Sequence, residues 1–248
     1  MAFENLGLRV QSILRSGAFP LLVSVHIPKT AGSTLRHQLV KHIPIFRVDP
    51  VENFVDYYAD LGNRLSDVIP VVRGQNATMF ASGHYRFRDA RTVLAPVKFQ
   101  TLMIAFLRDP VKRFLSDYFY SISEANLTHK AMRERYPTVE SYMRAGGQLN
   151  KQLEYMRPFE GASVGATVDA LCAEMGLVGI TENYESHADY FFQAVGIPRQ
   201  PDERLNIGKD QDAVNDAYLR YQDMLSTAQE YEVDLYNEIR KRTDWIGQ

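Results

Sequence analysis

The chain has 248 residues, of which 45% are hydrophobic and 23% are charged, and its formal net charge at pH 7 is −2. This composition is typical of a globular protein with a substantial core, and the near-zero charge excludes a general attraction to nucleic acid or to an anionic membrane surface. Any anion must therefore be bound by a local site. The one cysteine, Cys172, excludes an intramolecular disulfide framework and fits a reducing compartment.

We expect residues 1–20 to form an amphipathic segment rather than a targeting signal. Glu4, Arg9 and Arg15 interrupt its apolar residues, so it lacks the continuous apolar core and the cleavage site of a secretory signal peptide. No run of about 18 apolar residues, the length that a membrane-spanning helix needs, occurs in the chain. We therefore expect a cytoplasmic location. The apolar residues available to dock this segment are Leu6, Leu8, Val10, Ile13 and Leu14.

The next segment predicts a strand, a tight loop and the first turn of a helix. The apolar run Leu21–Val25 predicts a short buried strand, and Thr34–His42 predicts a helix. Backbone N–H groups of the loop and the positive end of the helix would converge at one point, an arrangement that binds phosphate or sulfate. Lys29 adds a mobile cation there, and the hydroxyl donors are Thr30, Ser33 and Thr34.

This loop differs from the P-loop of nucleoside-triphosphate enzymes, G-x-x-x-x-G-K-[ST]. When Gly32 is aligned with the second glycine, Ser33 stands where the lysine belongs and Ile27 where the first glycine belongs. The cation is instead Lys29, inside the loop. The sequence thus keeps the physical device of the P-loop without its consensus, and a plain strand–helix turn with an incidental lysine remains the alternative.

Further strands follow along the chain. Ile45–Val48 and Thr78–Ser82 predict short strands, and the spacing of apolar residues over Asn53–Leu65 predicts a helix between them. Phe99–Leu107 is the longest apolar run. Its length and continuity predict a central strand of a parallel sheet that is covered on both faces.

The helix after this strand has the clearest signals. Asp109 is a good N-cap, and Pro110 occupies the first helical position, where its missing N–H costs nothing. We expect Arg113 and Ser116 on the polar face of this helix. Its predicted buried face consists of Val111, Phe114, Leu115, Tyr118, Phe119 and Ile122.

Arg108 ends the preceding strand, at the edge where open α/β sheets bind ligands. An arginine there suits a fixed, bidentate grip on a phosphate. A simple pairing of Arg108 with a carboxylate is the alternative. Asp109 could hold Mg²⁺ in a kinase or GTPase, but its position before Pro110 favours the N-cap.

The remaining pattern completes an α/β fold. We predict a single domain over residues 1–248, with a core of about residues 20–242, a mostly parallel central sheet flanked by helices and a P-loop-like nucleotide-binding core. The remaining predicted elements are short helices within 124–160, a helix over Thr167–Met175, a strand over Leu177–Ile180, a helix over Tyr184–Val195, a loop over Gly196–Asp212 and a helical stretch over Ala213–Arg242 that is broken near Ser226.

Together the two motifs resemble those of the sulfotransferases that use 3′-phosphoadenosine-5′-phosphosulfate (PAPS), most of all the glycan-modifying branch that includes heparan sulfate 2-O-sulfotransferase. His26-Ile27-Pro28-Lys29-Thr30-Ala31-Gly32-Ser33-Thr34 is similar to the 5′-phosphosulfate loop of that family, and Arg108-Asp109-Pro110-Val111-Lys112-Arg113 with Ser116 is similar to its 3′-phosphate motif. Weaker similarities are Asn150-Lys151-Gln152, Gly179-Ile180-Thr181-Glu182 and the late loop Leu205-Asn206-Ile207-Gly208-Lys209.

The resemblance implies a role for each of these residues. Arg108 and Ser116 would hold the 3′-phosphate, and Asn206 and Lys209 would belong to a loop that closes over the nucleotide. The residues implied at the 5′ end are Lys29, Thr30, Ala31, Gly32, Ser33 and Thr34.

His84, in Ser82-Gly83-His84-Tyr85, is by the same resemblance the candidate catalytic base. It would take the proton of an acceptor hydroxyl as that oxygen attacks sulfur. A free histidine, with a pKa of about 6.5, suits this work at neutral pH. Other members of the superfamily use a glutamate, and Glu52 is the nearest alternative in chain order.

The sequence therefore predicts a sulfotransferase that moves a sulfuryl group from PAPS to a hydroxyl, most simply of a carbohydrate, and releases adenosine 3′,5′-bisphosphate. The alternatives are a P-loop-type small-molecule kinase using ATP and Mg²⁺, and a catalytically inactive sulfotransferase-like binding protein. The chain has no His/Cys cluster and no H-E-x-x-H motif, so we expect no metal site. Arg86, Arg88 and Arg91 could meet an anionic glycan or form a solvated face.

Overall fold

The computed structural model describes residues 2–43, 45–47, 69–70, 77–199 and 211–247. Several predictions from the sequence lie outside the described residues. These are the helix over Asn53–Leu65, the alternative base Glu52, and the late-loop residues Asn206 and Lys209.

The described strands form one parallel sheet. Their order across the sheet is β2-β3-β1-β4-β5, and all four neighbouring pairs are parallel. The predicted α/β class with a parallel central sheet is confirmed. The strands are β1 (Leu21–Val25), β2 (Ile45–Arg47), β3 (Met79–Gly83), β4 (Thr101–Leu107) and β5 (Leu177–Ile180).

Helices flank the sheet and connect its strands. Within the described part of the chain, no helix is both long and apolar enough to cross a lipid bilayer. The helices are α1 (Leu6–Arg15), α2 (Gly32–Val40), α3 (Phe87–Val93), α4 (Pro110–Ile122), α5 (His129–Arg135), α6 (Val139–Arg144), α7 (Lys151–Met156), α8 (Val164–Glu174), α9 (Tyr184–Val195), α10 (Gln211–Ala228) and α11 (Glu230–Thr243), with 3₁₀ segments at Ala95–Gln100 and Thr181–Asn183.

The order of the strands places a ligand crevice at β1. This strand lies between β3 and β4, and the chain leaves it toward β2 on one side, whereas it leaves β4 toward β5 on the other side. Ligands of open parallel sheets bind where neighbouring connections diverge in this way, outside the carboxyl ends of the strands. The residues that follow β1, β3 and β4 therefore share one edge of the sheet.

Strand β4 is buried along its whole length and paired on both sides, as its continuous apolar run indicates. It begins two residues later than predicted. Phe99 belongs to the preceding 3₁₀ segment and is 59% exposed, so its inclusion in the strand was wrong. The central position in the sheet belongs to β1.

Helix α4 starts as the sequence predicts, since Asp109 Oδ1 accepts a hydrogen bond of 2.9 Å from Lys112 N–H. The placement of Arg113 on its polar face was wrong, because this side chain is fully buried. The reason is a partner on another helix: Glu232 of α11 lies 3.4 Å from Arg113 Nε. A charged side chain is rarely buried unless it is paired with a fixed opposite charge.

Helix α1 docks through part of its predicted apolar set. Leu6, Val10 and Ile13 are buried, which confirms three of the five residues, whereas Leu8 and Leu14 are exposed. The buried three recur at the spacing of one helix face, and the other two point to a neighbouring face.

Candidate functional site

The loop after β1 has an unusual backbone. Lys29 and Ala31 have φ values of 69° and 65°, on either side of Thr30, whose φ is not positive. Residues other than glycine rarely adopt this left-handed conformation, and such residues cluster at binding sites. When left-handed residues alternate with a residue of ordinary φ, successive backbone N–H groups turn toward one point and form an anion-binding nest. Thr30 Oγ1 stabilises the turn by donating to Ile27 O at 2.9 Å.

Helix α2 begins directly after this loop and faces it with its N-terminus. The N–H groups of Thr34 and Leu35 both donate to Ala31 O, at 3.0 and 3.1 Å. The N–H groups of Gly32 and Ser33 precede these first bonds, and the opening turn of a helix leaves such donors for a ligand or a cap. The loop and the start of α2 therefore have the backbone arrangement on which the prediction of an anion site rests.

Gly32 is required by the packing of His26. A Cβ at position 32 would lie 2.1 Å from His26 Cδ2, so any other residue would collide with the imidazole ring. The ring is buried beneath the loop. Burial, then the nearby His84 and Arg36, hold the pKa of His26 well below its usual range. His26 is accordingly a neutral side chain that supports the loop.

His84 follows β3 and stacks on His26, with the ring centroids 4.3 Å apart. Its Nδ1 lies 2.6 Å from the backbone oxygen of His26. Since a carbonyl oxygen can only accept, Nδ1 must carry the hydrogen. The neutral ring then has its lone pair on Nε2. The loop after β1 thus fixes both the orientation and the tautomer of the histidine after β3.

Lys29 directs its ammonium over the ring of Tyr120 on α4, with Nζ 4.1 Å from the ring centroid. Burial lowers the pKa of Lys29, the charge of Asp117 raises it in part, and Arg108 lowers it further. Helix α4 therefore presents an aromatic face and a carboxylate, three residues apart, to the cation of the loop.

Arg108 joins the two sequence motifs. Its Nη1 donates to the backbone oxygen of Lys29 at 3.3 Å, although the two residues are 79 positions apart. Burial lowers the pKa of Arg108, while Glu182 and Asp109 act in the opposite direction. Arg108 thus contacts the loop that carries Lys29, and the two cations are close enough that the charge of Arg108 lowers the pKa of Lys29.

The structure brings most of the predicted site residues together. The 29–34 loop, Arg108 and His84 follow β1, β4 and β3 and meet at one edge. Ser116 lies half-buried on α4, and the site's hydrogen bonds among the described residues do not include it.

Asp117 and Tyr120 were not predicted as site residues. Tyr120 is 44% exposed, and its ring lies beneath the ammonium of Lys29. The available signal was an acidic residue in a polar row of α4, in which Arg113, Asp117 and Ser121 recur at helical spacing and are all buried. Local periodicity does not reveal which loop such a residue meets.

The basic residues after β3 are partly engaged on the surface. Arg91 Nη2 lies 2.7 Å from Glu174, and Arg88 Nε lies 3.8 Å from Asp89. Within the described ranges, no group of three or more His, Cys, Asp or Glu side chains is arranged to hold a metal ion.

The chain is similar to one family model and to several solved structures. A family model described as the sulfotransferase family matches residues 20–244. One similar solved structure is a sulfotransferase from Alicyclobacillus acidocaldarius, with 15% identity and a TM-score of 0.46, covering 88% of this chain and 96% of that chain. Another is mouse sulfotransferase SULT7A1 complexed with PAP, with 13% identity and a TM-score of 0.43, covering 87% of this chain and 71% of that chain. No curated protein matches. Because the family model extends from the start of β1 to the end of α11, the chain belongs to the sulfotransferase family.

Proposed function

We propose that this sulfotransferase takes its sulfuryl group from PAPS and transfers it to a hydroxyl group of a carbohydrate. The observation that carries the proposal is the hydrogen bond of 3.3 Å from Arg108 to the Lys29 carbonyl. It joins the loop that resembles a 5′-phosphosulfate site to the arginine that resembles a 3′-phosphate ligand. A nucleotide with anionic groups at both ends matches these paired cations.

The donor set fits such a nucleotide. The nest at Lys29 and Ala31 and the first N–H groups of α2 supply directed backbone donors, which suit a phosphosulfate. Arg108 supplies a planar guanidinium, which suits a bidentate contact with a terminal phosphate. In the proposed assignment Ser116 adds a hydroxyl to that phosphate, and Asn206 and Lys209 close over the nucleotide.

His84 is the proposed general base. Because Nδ1 is bound to the backbone oxygen of His26, Nε2 is the ring atom able to take a proton from the acceptor hydroxyl. The acceptor oxygen forms its bond to sulfur as the bond between sulfur and the bridging oxygen breaks. The proton passes to Nε2, and adenosine 3′,5′-bisphosphate leaves. When bound, PAPS supplies the activated sulfuryl group and the leaving group.

Lys29 and the loop are proposed to stabilise the charge that develops during transfer. The ammonium is a mobile point charge on a flexible stem, and in the structure it rests over Tyr120 within reach of the charge of Asp117. From there it would move to the sulfuryl and bridging oxygens. Fixed N–H donors and a cation aimed at developing charge are usually a large contribution to catalysis.

The carbohydrate acceptor rests on the similarity of the Gly83-His84 pair and its neighbours to the glycan-modifying branch. In that branch a histidine at this point acts as the base. The position of His84, directly after β3 and stacked on the loop that would hold the 5′ end, agrees with this role.

A transfer assay tests the proposal. The purified protein is incubated with PAPS and a panel of hydroxylated oligosaccharides, and adenosine 3′,5′-bisphosphate and sulfated products are measured by chromatography and mass spectrometry. We expect bisphosphate release that depends on an oligosaccharide, together with a product heavier by one sulfuryl group. Phosphorylated products from ATP and Mg²⁺ would instead identify the kinase alternative. Nucleotide binding without either product would identify the inactive binding protein.

A further inference from the structure

The backbone of Arg108 is held by a side chain that no assigned role explains. Strand β4 pairs with β5 as far as Leu107 and Ile180, so Arg108 is the first residue beyond the sheet. There the amide of Gln152 continues the pairing: Arg108 N–H donates to its Oε1 at 2.7 Å, and its Nε2 donates to Arg108 O at 2.9 Å. One side chain thus replaces a neighbouring strand at this residue.

Gln152 is itself fixed by Glu232 of α11. Its Nε2 donates to Glu232 Oε1 at 2.9 Å, and its backbone N–H donates to Glu232 Oε2 at 2.8 Å. Both residues are 0% exposed. The amide has one consistent orientation, because its nitrogen faces two acceptors and its oxygen faces a donor.

The charge of Glu232 is balanced by Arg113, whose Nε lies 3.4 Å away and whose Nη2 donates to Gln148 O. A buried ion pair adds little net stability, because desolvation offsets most of the attraction. The network is therefore better explained by the geometry that it imposes on its members than by a gain in stability. Its members connect α4, α7 and α11 to the end of β4.

A second carboxylate holds the next residue. Asp109 N–H donates to Glu182 Oε1 at 3.1 Å, and Tyr236 OH donates to Glu182 Oε2 at 3.1 Å. The peptide groups on both sides of the Arg108 side chain are therefore restrained from outside the strand. Gln152 and Glu182 are the final residues of two of the three weaker motif similarities found in the sequence.

We propose that Gln152, held by Glu232, is a positioning residue for Arg108. This role rests on the proposed function, in which Arg108 binds the 3′-phosphate. A bidentate contact between guanidinium and phosphate tolerates displacements of only about 0.5 Å. Because Gln152 fixes both polar groups of the residue from which the guanidinium projects, its loss weakens the contact with the 3′-phosphate and spares contacts elsewhere on the nucleotide.

The test is Gln152→Leu, titrated by calorimetry with adenosine 3′,5′-bisphosphate and with adenosine 5′-phosphate, which lacks the 3′-phosphate. We expect the wild-type protein to prefer the bisphosphate. In Gln152→Leu the affinity for the bisphosphate should fall about tenfold, the lower end of the effect of removing an outer-shell partner at a metal site, with no comparable change for the monophosphate. If Gln152 had a purely structural role, its replacement would weaken the binding of both nucleotides alike.

Gln229→Leu is the matched control. Gln229 is also 0% exposed, and its side chain donates to Leu225 O at 3.3 Å, away from Arg108. Its replacement should leave the preference for the bisphosphate unchanged. If Gln152→Leu does not fold, Gln152→Met serves in its place. It keeps the length of the side chain and adds no charge beside Glu232, but it loses the acceptor for Arg108 N–H and the donor to Arg108 O, so we expect a loss of preference in the same direction.

The outcomes separate the two proposals. A wild-type protein that binds both nucleotides equally overturns the proposed function, and the positioning role with it. A wild-type protein that prefers the bisphosphate, with variants of Gln152 that keep the full preference, overturns the positioning role alone.

Discussion

Lys29 combines burial, positive charge and a left-handed backbone in one residue. Its φ is 69°, in the loop that precedes α2, and its ammonium lies over the ring of Tyr120 on α4. The sequence located this cation and the loop that carries it. It did not reveal the resting contact with Tyr120, because that contact joins two segments that are far apart in the chain.

The first prediction concerns Lys29→Ala. We expect turnover to fall by about 10²- to 10³-fold, because a donor aimed at the developing charge is lost. The affinity for adenosine 3′,5′-bisphosphate should change much less, since Arg108 and the backbone donors remain. Initial rates and calorimetry measure the two quantities. Lys130→Ala, at an exposed position on α5, is the control for loss of a lysine. Unchanged turnover in Lys29→Ala would reject the role.

The second prediction concerns His84→Asn and the dependence of the rate on pH. A base must be unprotonated, so the wild-type rate should fall as the solution is acidified, and this acid limb should be absent from the residual activity of His84→Asn. At high pH kcat/KM, which reports the free enzyme, should fall when Lys29 loses its charge, and this should occur below the usual range for lysine because burial lowers its pKa. If His84→Asn keeps the wild-type rate and the same decrease of that rate at acidic pH, another group is the base.

At the scale of single elements, strong local signals located the strands and helices well. Strands β1 and β5 and helix α9 have the predicted bounds. The predicted break in the last helical stretch, near Ser226, occurs at Gln229, whose N–H donates to Ser226 O at 3.2 Å. Arg113 was misplaced because its burial depends on Glu232 of α11, and helical periodicity contains no information about that partner.

The third prediction concerns the start of α2. In an open helical position, Gly→Ala usually stabilises a protein by up to about 1 kcal/mol. Gly32→Ala should instead destabilise this protein by about 1–3 kcal/mol, because the new methyl group overlaps the ring of His26. Urea unfolding of each single variant and of His26→Ala/Gly32→Ala measures the coupling. We expect the double variant to lose less stability than the sum of the two single changes. Strict additivity would mean that the ring and the glycine do not interact.

At the scale of the whole molecule, hydrogen bonds between distant residues assemble the site. Arg108 and Lys29 are 79 positions apart, and Gln152 and Glu232 are 80 apart. The sequence predicted the sheet, the edge that carries the site and the loop, because each follows from a local pattern or a rule of topology. Contacts such as these could not be predicted, because they depend on how α4, α7 and α11 pack against the end of β4.

The fourth prediction concerns acid stability. His187 is fully buried, its Nδ1 accepts a hydrogen bond of 2.8 Å from Ile180 N–H, and burial lowers its pKa. The pKa in the folded state thus lies below the unfolded value of about 6.5, so the unfolded chain binds more protons as the pH falls. The contribution of His187 to stability is complete above that value and is lost as the pH falls through the folded pKa.

Urea unfolding at about pH 7.5 and about pH 5.5 measures this loss, which amounts to about 1.4 kcal/mol for each pH unit below about 6.5 over which only the unfolded chain is protonated. His187→Gln keeps a side-chain acceptor for Ile180 and removes the titration, so its stability should fall less between the two pH values. His26, whose pKa is also lowered, should account for part of the remaining decrease. An equal decrease in the wild-type protein and in His187→Gln would contradict the assignment to His187.

The central claim is that the paired cations at the edge of the sheet bind a nucleotide through a 3′-phosphate and a 5′-phosphosulfate. The most direct measurement is calorimetric titration of the wild-type protein with adenosine 3′,5′-bisphosphate and, separately, with ATP in the presence of Mg²⁺. We predict that the bisphosphate binds at least about tenfold more tightly, a difference of about 1.4 kcal/mol. Tighter binding of ATP with Mg²⁺ would contradict the claim.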